Sequence, residues 1–210
     1  MKLALIGATG LIGRQLWPLL EARHELLVLG RRSSGAAREK LGAMEDWPGL
    51  LDGERVDCAL STLGTTRSQA GSWAAFEAVD RDAVLAFARA AKAAGARHFL
   101  AVSSSGADPS SRNAYLRLKG EVEGALAGMG FARVDILRPG LLLGQRQERR
   151  VAEGIGQALS PLINLLLRGP LDRYAGIDAG LVARAMAVLA EREEPGLFRH
   201  GNREIRALAG

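Results

Sequence analysis

The sequence predicts a doubly wound α/β fold, a parallel sheet with helices on both faces and a small C-terminal elaboration, on three observations. Apolar runs of strand length recur at Lys2 to Ile6, Glu25 to Leu29, Val56 to Leu60, His98 to Val102 and Arg133 to Leu137. Amphipathic helical stretches alternate with them. The first run leads at once into a glycine turn that opens a helix. No repeat, low-complexity tract or linker interrupts the chain, so residues 1–210 read as one domain.

In KLALIGATGLIG, Lys2 to Gly13, the apolar run has the character of a strand buried on both faces, and glycines follow at Gly7, Gly10 and Gly13. With 26 glycines in the chain, such a spacing would arise by chance roughly 0.4 times, so its place between strand and helix carries the argument. Gly7 allows a tight turn, Gly10 lets a phosphate approach the backbone, and Gly13 lets the helix pack on the strand. Free N–H groups at the positive end of a helix then suit a pyrophosphate, which makes Gly7, Thr9, Gly10, Leu11, Ile12 and Gly13 candidate cofactor ligands. Pro18 predicts a kink or irregularity near Arg14. The three glycines, Thr9 and Arg14 argue against a secretory signal, and the stretch reads as mature protein.

The second strand ends in Gly30, Arg31 and Arg32 with no acidic residue at its tip. An acidic side chain there binds the ribose 2′-OH of NAD, whereas arginine accommodates the 2′-phosphate of NADP. Arg31 and Arg32 therefore point to NADP(H), the alternative being two solvated loop arginines. From Ser33 to Asp52 the pattern is weak, with a short helix near Ala36 to Met44, a turn at Trp47 to Gly49 and no clear third strand. Small residues after Val56 to Leu60, including Leu63 and Gly64, suit the approach of a ligand to a strand's carboxyl end. Trp73, Phe76, Val79, Val84, Leu85 and Phe87 mark a long helical segment to about Ala94, stopped by Gly95.

Asn113 to Met129 reads as a helix carrying Tyr115 and Lys119, which helical spacing puts on one face. With two tyrosines and four lysines in the chain, this pairing is expected by chance roughly 0.04 times. It is a stronger signal than the glycines. Ser103, Ser104 and Ser105 close the preceding strand. Beyond Arg138, Pro139 and Gly140 come a basic loop at Gln145 to Arg150, an apolar helical region at Val151 to Leu167, a capped helix at Asp178 to Glu191 and a short terminal element from Gly196.

Composition narrows the partners. Net charge is +5, yet the arginines are scattered without aromatic interleaving, which argues against nucleic acid. No apolar run reaches the roughly 18 residues of a membrane span. Cys58 is the only cysteine, so neither an internal disulfide nor a cysteine-based metal site is available, no metal site is expected, and a reducing cytoplasm is the expected compartment.

Taken together, GxxGxxG, the serines and YxxxK resemble the atypical or extended short-chain dehydrogenases/reductases, with their Rossmann-type sheet. LGTTR (Leu63 to Arg67), VDRDAVL (Val79 to Leu85), SSSGAD (Ser103 to Asp108), YLRLKGEVE (Tyr115 to Glu123) and RPGLLLGQRQERR (Arg138 to Arg150) resemble, more narrowly, the NADPH-binding Tat-interacting oxidoreductase-like proteins. The resemblance implies that Tyr115 protonates a carbonyl oxygen as NADPH delivers hydride. Free tyrosine titrates near pH 10, and the resemblance gives Lys119 the task of easing that proton transfer and of bonding the nicotinamide ribose. It assigns Ser104, with Ser103 as the alternative, to polarise the carbonyl. Pro139 would border the nicotinamide, and a segment from about residue 141 to 176 would cover the substrate. A homodimer is implied as well. The expected function is NADPH-dependent reduction of a small carbonyl compound, or epimerase-like chemistry with the same triad; the alternative is an NADP(H)-sensing regulator acting through a protein partner.

Overall fold

In the computed structural model, which describes residues 1–143 and 175–210, the strands are β1 (Lys2–Ile6), β2 (Glu25–Gly30), β3 (Glu39–Leu41), β4 (Cys58–Ser61), β5 (His98–Val102), β6 (Arg133–Leu137), β7 (Leu142–Leu143), β8 (Ile177–Asp178) and β9 (Gly196–His200). Seven form one sheet in the order β3-β2-β1-β4-β5-β6-β9, parallel throughout. β7 and β8 make a separate parallel pair. The expected α/β class, with a Rossmann-like sheet, is the observed one.

The central strands are apolar at successive positions because both faces are covered. In β1, Leu3 and Leu5 pack with Leu16 and Leu20 of α1 (Gly13–Glu21) and with Val182, Met186 and Leu189 of the helix Ala179–Ala190. Ala4 and Ile6 face the other way, toward Val84 and Phe87 of the helix Val84–Ala93 and Leu126 of the helix Ala114–Gly128. With α2 (Trp47–Leu50), α3 (Arg67–Ala70) and α4 (Trp73–Glu77) between them and α1, these helices are α5 (Val84–Ala93), α6 (Ala114–Gly128) and α7 (Ala179–Ala190); α8 is Asn202–Ala209. Cys58 sits in the core, where burial pushes its thiol pKa up and leaves it protonated and inert.

Several local expectations are corrected. The helix expected near Ala36 to Met44 is replaced by the third strand, β3, an edge strand too short and charged for its periodicity to register. Glu39 holds its entry by accepting bonds from Ser33 Oγ at 2.6 Å and Ser34 N–H at 2.6 Å. Trp47 to Gly49 belongs to the short helix α2 rather than a turn, and the Trp47 side chain is buried. α1 runs through Pro18 as one unbroken helix. Pro18 lies on its exposed side, so only the bond to the Arg14 carbonyl is forfeited while Leu16 and Leu20 hold the helix to the sheet. The terminal element consists of strand β9, half exposed at the far edge, and helix α8. The basic loop and apolar helical region read at Gln145 to Arg150 and Val151 to Leu167 lie outside the described residues. Among the described residues, no helix is long and apolar enough to cross a membrane.

Candidate functional site

Strand order reverses between β1 and β4, so the crevice beyond their carboxyl ends is the place where a doubly wound sheet admits a ligand. The glycine turn fills one side of it. Gly7 has φ +85°, and a Cβ there would stand 2.6 Å from the Leu63 nitrogen. Gly13 is the tighter position: a Cβ would meet the Gly7 carbonyl oxygen at 2.1 Å, so only glycine lets α1 come this close to the turn. Gly10 is exposed, and its N–H donates to the Gly7 carbonyl at 3.0 Å, which closes the turn. Ile12 caps α1 without a side-chain hydrogen bond, and the first turn of the helix holds no acidic residue. The N–H groups of Leu11 and Ile12 donate to no backbone carbonyl among the described residues. Gly10, Leu11 and Ile12 face the cavity; Thr9 is exposed beside them.

A single cavity of about 650 Å³ runs from this turn past Leu63 and Gly64 to Ser103, Ser104, Ser105, Tyr115, Lys119 and Pro139. These glycine-turn, serine and Tyr/Lys residues, distant in the sequence, thus border one space. Arg31 and Arg32 are exposed in the bend after β2, outside the lining of that cavity. The cradle fits a dinucleotide: a turn that tolerates no Cβ at two positions, N–H groups at a helix start, and a long cleft at the strand-order reversal.

Sequence reasoning missed Asp80. Lys119, buried although charged, donates to Asp80 Oδ1 at 2.6 Å, and the Thr65 N–H donates to Asp80 Oδ2 at 2.8 Å. Asp80 lies in a π-helical turn, Ala78–Ala83, that joins α4 to α5. Its carboxylate ties the loop after β4 to the lysine of α6 and fixes where the ammonium stands. A signal was there to be read: Phe76, Asp80, Val84 and Phe87 share one helical stripe, and an aspartate on an apolar stripe needs a buried cation.

Glu123 is the second omission. It is buried on α6 and accepts from Ser103 Oγ at 2.5 Å, from Arg138 Nη2 at 2.5 Å and from Arg199 Nε at 3.3 Å. The Ser103 hydroxyl is therefore committed to Glu123, whereas Ser104 Oγ makes only a long bond of 3.4 Å to the Ser105 carbonyl. The serine loop is also hung on the end of β6, through Ser103 N–H to the Leu137 carbonyl at 2.7 Å and Ser105 N–H to the Pro139 carbonyl at 2.9 Å. Gly120 brings α6 against this loop, because a Cβ there would lie 2.3 Å from the Pro109 nitrogen. Asn113 caps the helix, its side chain accepting from the N–H groups of Tyr115 and Leu116. Of the segment expected to cover the substrate, only Leu141 to Leu143 and Ala175 to Gly176 fall within the described residues.

No family model matches the chain. Among solved structures, it resembles the UDP-glucose 4-epimerase of Thermotoga maritima bound to UDP-glucose, with a TM-score of 0.70, 17% identity, and coverage of 99% of this chain and 81% of that one. It also resembles human epimerase family protein SDR39U1 with NADPH, with a TM-score of 0.66, 18% identity, and coverage of 96% and 74%. The Rossmann-like α/β fold is accordingly shared with these two proteins. A relative from Coccidioides immitis named protein FMP52, mitochondrial, is 43% identical over 150 residues, 71% of this chain and 61% of that protein. The Emericella nidulans protein fmp52, mitochondrial, is 38% identical, covering 87% of this chain and 88% of its own length. These names overturn the expectation of a cytoplasmic setting, because one buried thiol reports on redox chemistry and not on compartment. The Aspergillus niger protein fmp52, mitochondrial, aligns with the whole of this chain and 95% of its own length at 31% identity, and on that relationship the chain belongs to the FMP52 family.

Proposed function

We propose that the chain is an NADPH-dependent oxidoreductase that reduces a small carbonyl compound, of the kind its resemblance to the Tat-interacting oxidoreductase-like proteins implies. The observation that carries this reading is the continuity of the cavity, with the glycine turn at one end and Ser104, Tyr115 and Lys119 at the other. NADPH, when bound, supplies the hydride. The N–H groups of Leu11 and Ile12 hold its pyrophosphate, and Gly10 leaves room for it. Arg31 and Arg32 take the 2′-phosphate by charge-assisted bonds. Pro139 borders the nicotinamide, and Lys119, kept in place by Asp80, bonds the ribose beside it. Tyr115 passes its hydroxyl proton to the carbonyl oxygen. Ser104 donates a hydrogen bond to the same oxygen, since the Ser103 hydroxyl is engaged by Glu123.

Calorimetric titration with NADPH and NADH tests the cofactor half of this reading. NADPH is expected to bind the more tightly, and Gly10→Leu to weaken both by more than about tenfold, some 1.4 kcal/mol. Circular dichroism must show the variant folded, because a Cβ at position 10 lies 3.2 Å from the Gly7 carbonyl oxygen. Charge-assisted bonds are worth about 1.5 to 3 kcal/mol each, so Arg31→Ala with Arg32→Ala is expected to remove most of the preference for NADPH while sparing NADH. Equal affinities in the wild type would take the 2′-phosphate away from these arginines.

A further inference from the structure

A second recess, of about 710 Å³, opens beside the dinucleotide cavity, and Tyr115, Thr65 and Thr66 line both. Its wall is aromatic. Trp73 and Phe76 stack with ring centroids 5.2 Å apart and planes 25° from parallel, and Phe76 meets Tyr115 at 5.9 Å with the rings tilted by 52°. Ser72 accepts the Ala75 N–H to cap α4, which starts the helix at Trp73 and sets Trp73 and Phe76 on adjoining turns of one side. Phe76 is buried in the core, but Trp73 remains half open to the recess. Arg67, exposed at the start of α3, is the only charged side chain lining the recess among the described residues.

The proton transfer described above uses neither Trp73 nor Arg67. Their placement is that of a binding surface: a large flat apolar face next to the reacting hydroxyl, with one cation at the rim. We infer that this recess is the substrate pocket served by Tyr115, and that it takes a planar, conjugated carbonyl compound bearing an anionic group. The ring lies against Trp73, which Phe76 backs from the core, the anion pairs with the Arg67 guanidinium, and the carbonyl oxygen reaches Tyr115. In the step that follows, the carbonyl carbon accepts the hydride and the C=O π pair moves onto oxygen. That oxygen takes the Tyr115 proton, so the substrate is reduced to an alcohol as the dinucleotide is oxidised. The inference names the substrate class of the proposed reductase and rests on that reading.

The test compares 4-carboxybenzaldehyde, benzaldehyde and cyclohexanecarbaldehyde with NADPH, and titrates 4-(hydroxymethyl)benzoate, the alcohol product of the first, into the NADP-loaded protein by calorimetry. In the wild type, kcat/KM is expected to fall about tenfold from the first aldehyde to the second and again to the third, each factor of ten being the work of one modest contact. Arg67→Gln is expected to raise KM about tenfold for 4-carboxybenzaldehyde alone, with kcat unchanged, and to weaken 4-(hydroxymethyl)benzoate binding by the same factor. Trp73→Ala is expected to raise KM for both aromatic aldehydes by a clearly larger factor than for cyclohexanecarbaldehyde, which loses apolar contact but no stacking. A wild type that treats the three alike, or an Arg67→Gln variant that keeps the anion preference, overturns the inference and leaves the reductase reading standing. If none of the three aldehydes is reduced, the titration decides the recess: Arg67-dependent binding of 4-(hydroxymethyl)benzoate supports it as an anionic-arene site, and no binding overturns it.

Discussion

Tyr115→Phe is expected to lower turnover by roughly 100- to 10,000-fold, the range typical of a lost general acid, while NADPH affinity stays at the wild-type value. The change removes one hydroxyl and keeps the ring, whose packing against Phe76 at 5.9 Å needs no oxygen. It therefore separates catalysis from binding more cleanly than a change at Lys119. Removing the Lys119 ammonium leaves Asp80, nearly inaccessible to solvent, with the Thr65 N–H as its remaining described partner, and an unpaired buried carboxylate destabilises the fold around it. A Lys119 variant thus mixes lost ribose binding with lost positioning. The measurement is NADPH oxidation over a panel of aldehydes, ketones and quinones, beside calorimetric NADPH binding for both proteins. An active wild type whose Tyr115→Phe variant turns over unchanged would assign the proton to another donor. A wild type that reduces nothing, yet changes its affinity for a protein partner with NADPH, would make the chain a cofactor-reading regulator.

The parts of this fold that could be read from the sequence are those where one physical demand dominates. Strands β1, β2 and β5 are covered on both faces, so their apolar runs are uninterrupted and their ends clear, and β6 keeps Val134, Ile136 and Leu137 around the one break at Asp135. Helix α6 was legible because Asn113 caps it and the Tyr115/Lys119 spacing is rare by chance. The edges were not. β3 and β9 are half exposed and carry charge at positions where inner strands carry leucine or valine, which protects an edge from pairing with another chain but erases the pattern. At the site, glycines and Tyr/Lys announce themselves by spacing, whereas Asp80 and Glu123 act through partners far away along the chain. Lys119 is 39 residues from Asp80, and Arg199 is 76 from Glu123. Local periodicity carries no trace of such pairings beyond the oddity of a carboxylate on an apolar stripe. The serine register shows the same limit: the three serines are adjacent in sequence, and it is the bond from Ser103 to Glu123 that sets Ser103 apart from the other two.

Asp135→Asn is expected to cost about 3 to 5 kcal/mol of stability, the range for removing one partner of a buried ion pair. Asp135 is wholly inaccessible at the middle of β6, and strand alternation puts it on the same face as Leu137, which packs in one cluster with Val182 and Met186 of α7. It accepts from Arg133 Nε at 2.6 Å and Nη2 at 2.9 Å, and it bonds the rings of His98 and His200, each at 2.7 Å. It joins β5, β6 and β9 through side chains, in addition to their backbone ladders. Asparagine keeps the shape but turns one acceptor oxygen into a donor among donors, and it strands a guanidinium. Arg133 retains its bond to the Glu194 carbonyl at 2.7 Å and its stacking over Phe198 at 4.1 Å, which favours the lower end of that range. For a chain of this length, about 3 kcal/mol corresponds to a fall in Tm of roughly 6 to 12 °C. The pH dependence supplies an independent reading. Burial pushes the Asp135 carboxyl up, but the bonds from His200, His98 and Arg133 outweigh it and hold the pKa well below the usual carboxylate range. A depressed folded pKa means that the stabilisation is complete above the unfolded value, near 3.9, and drains away as pH falls below it toward the folded value. Urea unfolding at pH 7, 5 and 3 should show the wild type and Asp135→Asn far apart at the two higher values and closer together at pH 3. Equal stability at pH 7, or a gap that does not narrow at pH 3, would mean that the cluster contributes by shape alone and not through the charge of Asp135.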